Sequence, residues 1–147
     1  MSADARDLAQ AMTRSTVAQD PARQRRTVEA YLASWRDGDA AARASLFAGD
    51  AVVEDPVGGP LHRGLDAIRA FWAMAEQGGY RFAPVLEVFV PGGREALIRF
   101  SMGMEKAGAP VERLTVHEVV AFDDTYRITS LRAFWTMDAF TSAGEPT

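Results

Sequence analysis

The chain contains no cysteine, which excludes disulfides, thiol nucleophiles and zinc–thiolate sites. Histidine is nearly as scarce: His62 and His117 are two and far apart, short of a metal-binding cluster. Neither a metal nor a cofactor is expected. Sixteen Lys and Arg are scattered against twenty Asp and Glu, a net charge of −4, so no basic face or nucleic-acid motif emerges. Apolar runs fall far short of a membrane span, and Met1-Ser2-Ala3-Asp4-Ala5-Arg6-Asp7 lacks the basic-then-apolar order of a signal peptide. Nucleic acid and membrane are therefore not expected partners, and a cytoplasmic location is expected. What is present, 147 residues at 48% hydrophobic and 24% charged, suits one domain with its own core.

The two halves of the chain differ in period. Residues 1–20 are expected to form a polar extension with helical potential around Leu8, Met12 and Val17, followed by a single domain over 21–140 and a flexible tail over 141–147. Val28, Tyr31, Leu32 and Trp35 recur at helical spacing, which predicts a helix over 22–37 that Gly38 stops. Asp39 can cap a second helix over 40–47, and a short strand over 51–54 follows. A third helix is predicted over 65–77, packing through Ile68, Phe71 and Trp72. Strands are then expected over 82–90, 95–105, 111–122 and 127–137, separated by Pro/Gly-rich or Asp-Asp turns. Helices followed by an antiparallel meander indicate the α+β class, with helices covering one face of a sheet and an apolar pocket between the layers.

Asp55 draws attention first. It ends the apolar stretch Val52-Val53 and precedes Pro56-Val57-Gly58, so its carboxylate stands at the rim of a hydrophobic interior. Partial desolvation there raises a carboxyl pKa and suits it to proton transfer, although an aspartate before proline is also an ordinary turn residue. By the period-two rule Leu114, Val116, Glu118, Val120 and Phe122 share a strand face, with Glu118 the one ionisable group in the row. Either Glu118 is held protonated or paired in the core, or a bulge turns it outward or Arg132 neutralises it. Tyr31 lies on the apolar stripe of its helix; a buried phenol serves as an ordinary core residue or donates to a substrate oxygen. Trp135, Phe100, Met102, Val116, Trp72, Phe71 and Met137 are candidate substrate-contacting lining on the same reasoning, and equally plain core. His117 alternates with Glu118 and should face outward, while His62 belongs to a loop. One carboxylate at a pocket mouth and two hydrogen-bond donors suit proton abstraction next to a carbonyl, with the enolate oxygen held by the donors.

Tyr31 followed by Gly38-Asp39, then Phe47-Ala48-Gly49-Asp50-Ala51, Val53-Glu54-Asp55-Pro56-Val57-Gly58, Gly64 with Ala67-Ile68-Arg69-Ala70-Phe71, Phe122-Asp123 and Arg132-Ala133-Phe134-Trp135 resemble the ketosteroid isomerase (steroid Δ5-isomerase) family, within the NTF2-like or SnoaL-like fold. The resemblance spans residues 28–137. It implies an NTF2-like cone, a curved antiparallel sheet wrapped around about three N-terminal helices, and a homodimer formed through the sheets. It further implies Asp55 as the base that moves a proton between two carbons of a steroid-like ketone, and Tyr31 as an oxyanion donor. Glu118 falls where the family carries a protonated aspartic acid as second donor, and Trp135 at a pocket-wall position. The chain departs from the family at Glu118, one methylene longer, and at Phe47 and Trp72, where some members have tyrosines that support the oxyanion tyrosine. The expected activity is a cofactor-independent shift of a C=C bond in a β,γ-unsaturated ketone. The alternatives are a SnoaL-like epoxide hydrolase or cyclase of polyketide metabolism, and a non-catalytic protein that binds an apolar ligand.

Overall fold

The computed structural model describes residues 4–142. Four α-helices precede or interrupt a seven-stranded sheet: α1 Ala5–Thr13, α2 Pro21–Asp37, α3 Ala40–Ser45, β1 Phe47–Glu54, β2 Leu61–Arg63, α4 Leu65–Glu76, β3 Arg81–Gly92, β4 Glu95–Glu105, β5 Glu112–Phe122, β6 Ile128–Phe134 and β7 Phe140–Ser142. The helix boundaries follow local chemistry. Asp4 and Asp7 form a reciprocal capping box at the start of α1. Asp20 caps α2 ahead of Pro21, and Gly38 ends it in the left-handed conformation at φ 64°. Asp39 then accepts from the Ala42 amide to start α3.

The strands run in the order β2-β1-β6-β5-β4-β3, with β7 paired to the other end of β5. Neighbours are antiparallel except β1 and β6, which are parallel, so the sheet is mixed at one point and not a pure meander. A bulge between Leu86 and Val88 bends β3 around the helices. Alternation places Ile98 and Phe100 of β4, Leu114, Val116, Glu118, Val120 and Phe122 of β5, and Leu131 and Ala133 of β6 on the buried face. Against them pack Val28, Tyr31, Leu32 and Trp35 of α2 and Ile68 and Trp72 of α4. This is the expected α+β cone.

Several boundaries differ from expectation for identifiable reasons. Phe47 opens β1 and pairs with Ile128, so α3 stops at Ser45 and the strand is twice the expected length. His62 lies in β2, paired with Val53, and not in a loop. The final strand ends at Phe134; Met137 starts a 3₁₀ turn and is 73% exposed. Thr141 and Ser142 belong to β7, held against Arg113 and Glu112, so the ordered sheet extends past residue 140. The remainder of the expected tail, 143–147, lies outside the described residues. In the extension α1 buries none of its residues.

Leu131 is fully buried in the centre of the sheet, between β1 and β5. Leu131→Ala is expected to destabilise the fold by about 2–5 kcal/mol, measured by urea unfolding. A loss below about 1 kcal/mol would mean that the core collapses to fill the gap.

Candidate active site

Each functional side chain is placed by a different element, and the curvature of the sheet brings them together. A cavity of about 410 Å³ opens between α2, α4 and the concave face. Asp55, Tyr31 and Glu118 all line it, together with the apolar side chains of Trp35, Phe71, Phe82, Phe100, Met102 and Trp135. Val116, Leu114, Met74, Met104, Pro56 and Ala75 complete the wall. The polar groups are thus few and converge in an apolar chamber, the usual constitution of a small-molecule site.

Glu118 sits in the middle of β5, flanked along the strand by Val116 and Val120 and across the sheet by Ile98 and Ala133. It is 1% exposed, and its Oε1 atom has no hydrogen-bond partner among the described residues. Burial, with Asp55 adding to it, pushes its carboxyl well above the ordinary carboxylate range. Arg132 does not neutralise it, because that guanidinium faces Glu54 at 3.4 Å. His117 is exposed on the opposite face, as the alternation requires.

Asp55 follows the last residue of β1 and is half-buried. The Trp135 indole N–H donates to its Oδ1 at 2.6 Å. Burial raises its pKa, while the Trp135 hydrogen bond and the charge of His62 act the other way. Asp55 is therefore a carboxylate made more basic by desolvation and held in place by one donor. Tyr31, 6% exposed, lines the same chamber. Burial raises the pKa of its hydroxyl, reinforced by Glu118 and Asp55 and opposed by the neighbouring Trp35 side chain and the charge of Arg43.

Sequence and geometry part company at two lining residues. Met137 projects from the 3₁₀ turn into solvent, and Trp72 lies behind the chamber with its ring edge-on to Phe47 and Trp35. Neither borders the cavity. Conversely, Trp35, Phe82, Met74 and Met104 line it without having been singled out. Trp35 lies on the same helical stripe as Tyr31 one turn on, which is the signal that could have found it. His62 was assigned no role, yet its ring stacks on Phe71 with centroids 4.3 Å apart, at the cavity wall. At Phe47, where some members of the resembled family have a tyrosine, the side chain meets the Tyr31 ring edge-on and has no hydroxyl to offer.

The sequence pattern of the SnoaL-like domain matches residues 28–139. The chain belongs to the SnoaL-like family. A steroid Δ-isomerase of Nocardioides simplex is 38% identical over 109 residues, covering 74% of this chain and 85% of that protein. The Δ5-3-ketosteroid isomerase from Mycobacterium sp. superposes with a TM-score of 0.72 at 25% identity, covering 82% of this chain and 98% of the other. SalBIII, described as an epoxide hydrolase/cyclase-like enzyme in pyran ring formation in the polyether salinomycin, superposes with a TM-score of 0.75 at 20% identity, over 84% of this chain and 98% of its own. These neighbours share the SnoaL-like cone.

A neutral buried Glu118 has a consequence for stability. The folded chain retains a proton that the unfolded chain releases above about pH 4.3. Stability derived from Glu118 is therefore complete below that pH and declines as pH rises toward the raised folded value. In urea unfolding, wild type is expected to lose stability relative to Glu118→Gln between about pH 4 and neutrality. A difference that does not vary with pH would show that Glu118 is not protonated in the fold.

Proposed function

We propose that this protein is a cofactor-independent isomerase that moves a C=C bond in a steroid-like β,γ-unsaturated ketone. The observation that carries the reading is the convergence on one apolar cavity of Asp55, Tyr31 and a buried Glu118 whose Oε1 atom has no hydrogen-bond partner among the described residues. In the proposed reaction Asp55 removes a proton from the carbon between the carbonyl and the double bond. The resulting dienolate places negative charge on the carbonyl oxygen, which accepts hydrogen bonds from the Tyr31 hydroxyl and the Glu118 carboxylic acid. Protonated Asp55 then returns the proton to the far end of the dienolate, giving the conjugated ketone and restoring the carboxylate. Trp135 keeps the Asp55 carboxylate oriented during the transfer. Phe71, Phe100, Met102 and Val116 contact the flat apolar body of the substrate and exclude water.

The named steroid isomerase at 38% identity supports this reading. A Mycobacterium tuberculosis protein of the same fold, Rv0760c, crystallised with estradiol-17β-hemisuccinate, adds a neighbour that holds a steroid derivative, with a TM-score of 0.72 and 20% identity. A second reading has a specific basis: two carboxyls of unequal acidity also suit an epoxide hydrolase or cyclase, in which Asp55 activates a hydroxyl and Glu118 protonates the epoxide oxygen. The family resemblance further carries a homodimer through the outer sheet face, where Val90 and Leu97 pair across strands and remain about half exposed.

Mixing the protein with 5-androstene-3,17-dione is expected to raise conjugated-enone absorbance. Asp55→Asn should lower the rate by about 10²–10⁴-fold with steroid binding retained. A rate within a few fold of wild type would remove Asp55 from the mechanism, and epoxide opening without enone formation would favour the second reading. Glu118→Asp, which shortens the donor arm by one methylene, is expected to raise isomerase turnover. An equal or lower rate would show a pocket adapted to glutamate.

A further inference from the structure

Arg43 is the one arginine among the described residues that is completely buried. A buried guanidinium is stable only with its charge and its N–H groups engaged, so its partners identify what it holds. Nε donates to Ser34 Oγ at 3.1 Å, one terminal nitrogen donates to the Ser34 carbonyl at 3.2 Å, and the other meets Glu76 Oε1 at 3.0 Å. The guanidinium carbon lies 3.4 Å from the centre of the Trp35 ring and 5.0 Å from that of Trp72.

These contacts lead to the site by two routes. Ser34 Oγ, which accepts from Arg43, itself donates to the Tyr31 main-chain carbonyl at 2.5 Å. Trp35, on which the guanidinium stacks, lies one helical turn from Tyr31 and lines the same cavity. The counter-charge Glu76 is 36% exposed and on the far side of the guanidinium from Ser34, so solvent screens the negative partner more than the buried positive one.

We propose that Arg43 is a positioning residue of the site: its guanidinium fixes the Trp35 indole in the cavity wall and, through Ser34, the Tyr31 main chain, so that the Tyr31 hydroxyl is aimed as a donor to an oxyanion. The inference rests on the reading of Tyr31 as an oxyanion donor. It assigns to this chain a substitute for the tyrosines absent at Phe47 and Trp72, built from a cation–indole stack behind the cavity and not from a row of hydroxyls.

The test uses 4-nitrophenol at a pH where it is ionised in solution, read by its visible absorbance, against 4-nitrotoluene, which has the same outline without the oxygen. Full-length wild type and Arg43→Met are compared for affinity to both. The expected result is a roughly three- to tenfold weaker affinity for the phenolate in Arg43→Met, with nitrotoluene affinity unchanged. Unchanged phenolate affinity, or an equal loss for both ligands, overturns the proposal, the latter because it signals only a disturbed pocket. If Arg43→Met does not fold, Ser34→Ala, which cuts the link to the Tyr31 carbonyl and leaves Arg43 in place, must give the same selective loss; an unchanged ratio overturns the proposal. A wild type with no preference for the phenolate would instead defeat the oxyanion reading of Tyr31 and the inference with it. Wild-type preference that survives in Arg43→Met defeats the inference alone.

Discussion

A carboxyl group surrounded by Val116, Val120, Ile98 and Ala133 cannot remain ionised without a partner, and among the described residues none reaches Glu118 Oε1. That desolvation constraint organises the candidate site. It makes Glu118 an acid at the floor of the cavity and leaves it a proton to donate, and it raises Asp55 less because Asp55 stands at the half-buried rim with an indole donor. Depth and the Trp135 hydrogen bond thus set the two carboxyls apart in acidity. Tyr31, buried between them and the helix core, is kept a phenol by the same lack of water.

The rest of the fold maintains this dry depth. The β3 bulge and the parallel β1–β6 pair bend the sheet around α2 and α4, so the concave face closes on apolar helix surfaces except at the cavity. Trp35, Trp72 and Phe47 interlock edge-to-face behind it, with Arg43 sandwiched among them. Arg36 ties α2 to the Pro84 carbonyl of β3, which holds the tyrosine-bearing helix against the sheet. Buried Arg43 is bonded to Ser34 of α2 and Glu76 of α4, so these helices cannot slide past it without leaving its charge unpaired.

Much of this was legible in the string because it depends on local rules. Gly38 and Asp39 bound the helices where left-handed backbone and capping require it, and the four long strands lie within two or three residues of their alternation signals, the C-terminal end of β6 included. The inward direction of Glu118 and outward direction of His117 follow from period two and were observed. Three features were not legible. The parallel pairing of Phe47 with Ile128 joins residues distant in sequence, β2 is only three residues long, and β7 reaches the sheet only after a 3₁₀ turn. Short strands carry almost no periodicity, and their existence depends on a neighbour with free backbone groups. Trp72 illustrates the same gap for the site: its helical face was correctly apolar, but whether an apolar face meets core or cavity is decided by packing.

The sequence by itself determined the helix-then-sheet order, the face on which each side chain lies, and the presence of one carboxyl in an otherwise apolar row, because periodicity and backbone stereochemistry act over a few residues. Only the tertiary structure decided that Asp55, Tyr31 and Glu118 share one cavity, that Trp135 grips Asp55, that Arg43 lies buried behind Tyr31, and that Met137 points away. Those outcomes depend on sheet curvature and on which distant strands pair, and both are set by how the whole chain excludes water.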